Sequence, residues 1–447
     1  MGSSEPIDPA FKILAESAAA IGARAWAVGG HVRDHLLGRP NQELDIVVED
    51  GRGHDLAVEF ARRTGSAPPV IFERFGTAHV RWKARIVEFA SARAESYAPD
   101  SRKPDVRPAA LDEDLRRRDF TVNTLLMDFE GKVADRLGGA LDDLRAGILR
   151  TPLNPVATFT DDPLRMLRAI RFAAQLGFEL DPSLLPAMRE LHERLRPPVI
   201  SIERISEELR KMLVSPRPRQ ALEMLDDGAL LPEILPELSS TKGVVQGGYH
   251  RYDVFGHTVR AVEATQADLV TRLAAVLHDV GKPATAAPDG TFLGHDKIGA
   301  AMATEALTRL RFSNAITERV TMLVRLHLRP VFYSSDWTDG AIRRLARDAG
   351  PDLWRLMDLG RADIAASAYD QPEKLDELAD RLRAAALAQP ERTAPVISGA
   401  DIMRTLGLPP GPEVGRIKDR LEDLVMEGEV EPDRASVVRY LTDHPDL

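Results

Sequence analysis

The sequence predicts an α+β protein, a small α/β head followed by several all-helical domains. Three observations carry this. Strand-like apolar runs alternate with helix-period segments over residues 1–130, strand signals almost vanish beyond about residue 155, and helical periodicity then takes over. The chain has 447 residues, more than the roughly 250–300 that one core spans, so several domains are expected.

In order, a helix is expected at Pro9–Ile21, a buried strand at Ala25–Val28, a helix just behind Gly29-Gly30, and a second strand from Leu44 to Val48. A helix over 54–64 and strands at 69–72, 78–82 and 86–89 complete the head. Residues 90–113 are polar and carry Pro99, Pro104 and Pro108, which reads as a mobile loop. The helix over 163–177 is well marked: Asp161 and Asp162 offer a cap, Pro163 suits the first turn and Gly177 a stop. Breaks at 239–248 and 390–398 then divide the chain into 1–150, 151–240, 241–390 and 391–447. The last part holds a turn at Leu408-Pro409-Pro410-Gly411-Pro412 and a charged helix over 413–427.

Composition narrows the class. Hydrophobic residues make up 44% and charged residues 29%, an ordinary soluble globular balance. No run approaches the roughly 20 apolar residues of a membrane span, and the first residues lack the basic and apolar regions of a secretion signal. Zero cysteines exclude disulfides and thiolate metal sites and fit a cytoplasmic protein. A net charge of −10 argues against a generic nucleic-acid coat, yet a local groove lined by Arg116-Arg117-Arg118 and by the arginines between Arg165 and Arg219 stays open. Nothing in the pattern specifies an oligomeric state.

The most informative stretch is Val28-Gly29-Gly30-His31-Val32-Arg33-Asp34, followed by Glu43-Leu44-Asp45. Gly-Gly lets the backbone approach a ligand closely, and the turn amides with the helix start behind them favour an anion such as a triphosphate. Glu43 and Asp45 stand at i and i+2, so both side chains leave one face of the second strand. Two acids beside a phosphate cradle suit Mg²⁺-dependent phosphoryl or nucleotidyl transfer.

The ordered motifs extend along the chain: Arg117-Arg118-Asp119-Phe120-Thr121-Val122-Asn123, the run from Asp135 to Leu144, Asp161-Asp162-Pro163-Leu164-Arg165, and the helix around Ser201-Ile202-Glu203-Arg204. With these in view, the chain from about residue 20 onward resembles the class II tRNA nucleotidyltransferases, the CCA-adding enzymes and their bacterial poly(A) polymerase relatives. The segment 241–390 resembles an HD domain and 408–428 the tail of the longer bacterial members. One departure stands out. The family's first carboxylate is usually Asp, and here it is Glu43.

The resemblance implies a polymerase β-like head in which an RNA 3′-hydroxyl attacks the α-phosphorus of CTP or ATP and pyrophosphate leaves. Glu43 and Asp45 would hold Mg²⁺, with Asp45 bridging two ions; Glu88 is either a third acid or an exposed strand residue. Gly29, Gly30, Arg33, Arg117, Arg118 and Asn123 would bind the nucleotide, with Asp119 accepting from the ribose hydroxyl. Asp162 and Arg165, spaced i and i+3 on one helix face, would read cytosine and adenine, because a carboxylate only accepts and a guanidinium only donates. Arg168 extends that stripe. Partners implied are the tRNA acceptor end, CTP and ATP, with no membrane. His257, His278, Asp279, His295, His327 and Asp363 resemble the ligands of HD phosphohydrolases, suited to Mn, Co, Ni or Fe. Alternatives of the same kind are a poly(A) polymerase or a CC-only or A-only enzyme. An HD phosphohydrolase with a nucleotide-binding head and a non-catalytic tRNA-binding protein are alternatives of other classes.

Overall fold

Asp8 accepts a hydrogen bond from the Ala10 amide and opens α1 (Pro9–Ile21), which Gly22 closes in the left-handed conformation at φ 66°. The chain continues through β1 (Ala25–Val28), α2 (Gly30–Leu36), β2 (Leu44–Val48), α3 (Gly53–Thr64), β3 (Val70–Phe72), β4 (Thr77–Trp82) and β5 (Arg85–Ser91). Each lies where the patterning puts it, to within two residues. This computed structural model describes residues 8–73, 76–96, 105–247, 251–367, 372–388, 397–427 and 429–447.

Residues 90–113 differ from expectation. They contain β6 (Arg93–Ser96) and β7 (Asp105–Pro108), paired antiparallel with Arg93 opposite Pro108, and the start of α4 (Leu111–Arg116). Polar composition hides such a pair because strand stability is set by the partner across the ladder, not by local propensity. Tyr97, Pro99, Arg102, Lys103 and Pro104 of the expected loop lie outside the described residues. Beyond α4 come β8 (Leu126–Met127) and β9 (Val133–Ala134), which complete a seven-stranded sheet in the order β3-β4-β5-β2-β1-β8-β9. β2 and β5 run parallel; the other neighbours are antiparallel.

The sheet's two faces have different jobs. Ile46 and Phe89 sit opposite each other in register, and the Phe60 ring of α3 packs 5.5 Å from Phe89 and 5.9 Å from Trp82. Each such fully buried side chain contributes about 1.5–3 kcal/mol. Alternation sends Asp45 and Glu88, the adjacent registered pair, to the opposite face.

The rest of the first compact unit, up to Ile234, is helical apart from β10 (Ile148–Leu149) and β11 (Glu179–Leu180). Its helices are α5 (Ala140–Ala146), α6 (Pro155–Asp161), α7 (Leu164–Leu176), α8 (Leu184–Leu191), α9 (Ile202–Leu213), α10 (Pro218–Asp227) and α11 (Leu231–Ile234). The second unit, from Leu235, holds α12 (Pro236–Ser239), α13 (Val254–Ala264), α14 (Leu269–Leu277), α15 (Lys282–Thr285), α16 (His295–Arg309), α17 (Asn314–Leu326) and α18 (Leu328–Val331). It ends with α19 (Asp339–Ala349), α20 (Leu353–Ala366), α21 (Pro372–Ala388), α22 (Gly399–Leu406), α23 (Pro412–Glu427) and α24 (Arg434–Asp443). The last three pack around Ile402, Leu421, Leu424, Val437 and Leu441, and a Ser398–Asp401 capping box starts α22. Among the described residues no helix is long and apolar enough to cross a membrane.

Gly53, the first residue of α3, lies against β5: a Cβ there would meet the Ser91 amide nitrogen at 2.8 Å and its Oγ at 2.9 Å. Gly53→Ala should therefore destabilise the protein by about 1–3 kcal/mol. The midpoint of denaturant unfolding checks this, and an unshifted midpoint would show that α3 moves freely over the sheet.

Candidate active site and metal centre

Gly29 has φ 76° and ψ −139°, a conformation essentially confined to glycine. A Cβ at this position would lie 3.4 Å from both Asp45 Oδ2 and Arg118 Nη1. The glycine turn thus lets a carboxylate and a guanidinium approach the backbone from two directions. Asp45 is half-buried on β2 and registered with Glu88 on β5, while Glu88 Oε2 lies 3.0 Å from His79 Nε2 across β4. Burial, then the charge of Glu88, push the Asp45 carboxyl up to about 6, against the pull of Arg118. Glu43 is exposed and stands one residue before β2 rather than on it; its carbonyl oxygen meets His31 Nδ1 at 3.2 Å and its amide donates to Asn41 Oδ1. Glu88, left open by the sequence, is the acid brought beside Asp45. A carboxylate held partly unfavourably among other carboxylates is a group that gains from a divalent cation.

Several of the other expected residues form one hydrogen-bonded chain, buried at Asp119, Asn123 and Arg33 and half-buried at its ends. Arg168 on α7 grips Asp119 Oδ2 with Nε at 3.0 Å and Nη2 at 2.6 Å. Asp119 Oδ1 accepts from the Phe120 amide at 2.8 Å and from Asn123 Nδ2 at 2.9 Å. Asn123 Oδ1 accepts from Arg33 Nη1 at 2.8 Å, and the rest of the Arg33 fork pairs with Asp34, which also accepts from Asn41. Burial alone would raise the Asp119 carboxyl, but the charge of Arg168 and the bonds from Asn123 and Arg168 hold it well below the usual carboxylate range. All four acceptor positions of Asp119 are taken within the protein, so accepting from a ribose hydroxyl requires one of these bonds to give way. Arg33 commits three of its five donor hydrogens to Asp34 and Asn123 and keeps two, and its plane lies over Phe172, 4.8 Å from the ring centre. Arg168 and Arg171 share that ring at 5.4 and 4.0 Å.

Arg117 and Arg118 both hang from Asp114, a buried acid on α4, at 2.6 and 3.2 Å. Arg118 keeps a buried Nε without a hydrogen-bond partner and aims Nη1 at the Gly29 turn. Asp162 and Arg165 are not a pair on one helix face. Asp162 is extended, at φ −140° and ψ 97°, because the following Pro163 disfavours the helical conformation; it ends α6 and caps Leu164 instead. Asp161 closes α6. Arg165, on the first turn of α7, donates to the Arg117 carbonyl at 2.6 Å and the Thr158 carbonyl at 3.4 Å.

In the second unit the six expected donors converge. Asp279 Oδ2 faces His278 Nε2 at 3.2 Å and His257 Nε2 at 3.7 Å, with Asp363 Oδ1 2.9 Å from His257. Its other oxygen faces His295 Nε2 at 3.5 Å and His327 Nε2 at 3.9 Å. One carboxylate therefore lies between two donor groups. His278, His295 and His327 bond through Nδ1 to the carbonyls of Ala275, Phe292 and Val324, so that in the neutral ring the lone pair is on Nε2. His295 and His327 consequently point two lone pairs at each other across 3.3 Å. Such an arrangement is repulsive unless a cation sits between them. Burial and the neighbouring His278 push His327 down to about 4, keeping a neutral donor. The donor set fits a transition metal. Among the described residues, the groups of three whose ligand atoms lie within 4.8 Å of one another are both here: His257, His278, Asp279 and Asp279, His295, His327.

Residues 25–150 match the family described as Poly A polymerase head domain, residues 177–242 that described as Probable RNA and SrmB- binding site of polymerase A, and residues 248–385 the HD domain. The chain is 37% identical to an A-adding tRNA nucleotidyltransferase of Deinococcus radiodurans, over 94% of this chain and 96% of that protein. It belongs to the tRNA nucleotidyltransferase family. A CC-adding tRNA nucleotidyltransferase of Thermus thermophilus is 34% identical over 91% of this chain and 90% of its own. The CCA-adding enzyme of Bacillus stearothermophilus in complex with CTP has the same fold, with a TM-score of 0.70 at 24% identity, covering 98% of each chain.

Several residues of this nucleotidyltransferase escaped the sequence reading. Asp114 could have been found, since it precedes Arg117 and Arg118 by three and four positions on a helix. So could Lys282, three residues after Asp279 and bonded to it at 2.6 Å. Asn41 gave no signal. Because Arg168 keeps 34% of its side chain in water, Asp119→Ala should cost about 3 kcal/mol, the low end for a broken buried pair. A denaturation midpoint that moves by less than about 1 kcal/mol would show that the chain from Arg168 to Asn41 is not holding head and α7 together.

Proposed function

We propose that this nucleotidyltransferase completes tRNA 3′ ends by template-independent addition of CCA from CTP and ATP. The single observation that carries the reading is the registered pair Asp45–Glu88 beside the Gly29 turn. The oxygen of the tRNA 3′-hydroxyl attacks the α-phosphorus and gives up its proton; the bond to the β-phosphate bridging oxygen breaks and pyrophosphate departs. Asp45 and Glu43, with Glu88 alongside, would hold Mg²⁺, which would supply Lewis-acid polarisation and neutralise the leaving oxygens when bound. Arg118 meets the triphosphate at the turn, and Arg33, Arg117, Asp119 and Asn123 orient it. Gly29 and Gly30 let the phosphates reach the backbone.

Base choice falls to Asp162 and Arg165 at the joint of α6 and α7, with Arg168 behind them. Arg165 spends two of its five donor hydrogens on carbonyls and keeps three for a base edge. The helices after residue 150 and the tail from 391 carry the tRNA, the head spans 1–150, and the enzyme works in the cytoplasm, consistent with a chain of zero cysteines. A second reading, addition of A alone or of CC alone, is favoured by the names of the two relatives. Incubation with Mg²⁺, each labelled nucleotide and tRNA ending at the discriminator base, at C or at CC separates the two readings: full CCA on the first tRNA supports completion, extension that stops at CC supports a CC-only enzyme, and extension of the CC-ended tRNA alone supports an A-only enzyme.

In the HD region, His257, His278, Asp279, His295, His327 and Asp363 would hold Mn, Co, Ni or Fe, which would supply the chemistry for hydrolysis of a phosphomonoester or cyclic phosphate at an RNA 3′ end. Water is consumed, the P–O ester bond breaks, and a hydroxyl is released.

Asp45→Ala should abolish incorporation, by at least about a hundred-fold, while tRNA binding stays near wild type; wild-type extension by this variant would sink the head assignment. Glu43→Asp should be tolerated and Glu43→Ala severe. The double change His278→Ala, Asp279→Ala should remove bound transition metal and any phosphatase activity. Nucleotide addition in Mg²⁺ should remain within a few-fold of wild type. A folded double variant unable to add nucleotides would unite the two centres.

A further inference from the structure

The donor cluster of the second unit opens into a cavity of about 640 Å³ whose lining includes Asp279, His295, His327, Lys282, Phe292 and Phe332. Two apolar side chains stand unusually far into solvent at its rim: Leu293, 87% exposed, and Phe332, 70% exposed. Each is tied by sequence to a donor, since Leu293 precedes His295 by two residues and Phe332 follows His327 by five. A second pocket of about 250 Å³ shares Phe332 and Leu328 with the first and is lined also by Arg329, Trp337, Ala341 and Arg344. Arg329 also pairs with Asp348 at 2.7 Å. Phe332 is therefore a wall common to a metal-type cavity and to a pocket built from an indole and two guanidiniums.

Aromatic faces alternating with cations along a groove are the physical signature of single-stranded nucleic acid, whose bases stack while its phosphates meet the charges. A solitary phosphate ester needs only the first cavity. Resting on the phosphohydrolase reading above, we propose that these pockets hold two consecutive nucleotides of an RNA 3′ end. The terminal nucleotide enters the larger cavity with its phosphate toward the donors and Lys282 and its base against Phe332 and Leu293. The penultimate nucleotide occupies the second pocket, stacked on Trp337 and the other side of Phe332, with its phosphate on Arg344 and Arg329. The HD centre thus prefers an RNA chain to a free nucleotide.

The test uses the full chain stripped of metal by chelation and a fluorescein-labelled, 3′-phosphorylated tri-ribonucleotide, followed by anisotropy, beside the matching 3′-phosphorylated mononucleotide. The wild type should bind the trimer more tightly. Arg344→Glu and Phe332→Ala, each purified with wild-type metal content before chelation as the check of folding, should each weaken the trimer by about ten-fold, the factor for losing one stack or phosphate contact. Arg344→Glu should lower the trimer-to-mononucleotide ratio; Phe332→Ala should weaken both ligands. Trimer affinity equal to wild type in both variants would overturn the proposal. Hydrolysis of p-nitrophenyl phosphate by the metal-loaded wild type is read separately. Its failure with all four metals would end the phosphohydrolase reading, whereas trimer binding sensitive to both variants would still place RNA in the two pockets.

Discussion

Everything around the head's site depends on one buried carboxylate. Asp119 binds Arg168 of α7 through one oxygen and Asn123 and the Phe120 amide through the other. From Asn123 the chain runs to Arg33, Asp34 and Asn41, and so to the backbone of Glu43. Charge and hydrogen bonds overcome the desolvation of Asp119, so it stays ionised at every ordinary pH. A network in which every member is satisfied is rigid. Here it fixes the residue before β2 relative to the first turn of the helix that carries Arg165 and Arg168.

That rigidity explains the division of labour among the head's arginines. Arg33 and Arg168 turn their forks onto protein carboxylates, so they orient neighbours more than they wait for a ligand, whereas Arg165 commits only two of its five donor hydrogens. Arg118 is different: it leans on Asp114 with one nitrogen and leaves Nε unpartnered beside the turn. On the opposite wall Asp45 carries the cost of burial and of a carboxylate neighbour. A cation and an anion demand are thus built into the two sides of one glycine. The second unit solves a similar problem with histidines, whose Nδ1 hydrogens are committed to carbonyls so that their lone pairs must converge.

Most of the head was legible because its signals are local. Short apolar runs gave β1 and β2, capping residues and a left-handed glycine bounded α1, and the order of short motifs pointed to the family. The pairing of β6 with β7 was not legible, since it joins residues nine to fifteen apart through backbone bonds that polar side chains do not announce. The expected place of Asp162 on one helix face with Arg165 fails for a local reason: the proline after it, which the sequence displayed, ejects it from the helix.

By itself, then, the sequence determined most of the secondary elements, the glycine turn and the carboxylates Glu43 and Asp45, because periodicity, φ restrictions and donor chemistry are properties of single residues and their near neighbours, while the family resemblance supplied the six donors of the HD region. Only the tertiary structure decided that Glu88 stands beside Asp45, through a parallel register between strands forty residues apart. It likewise decided that Asp119 is saturated from within and that Asp279 faces two donor groups at once. Those facts depend on which faces and side chains meet across long loops, and a carboxylate's partners are chosen by distance in space, which its position along the chain does not encode.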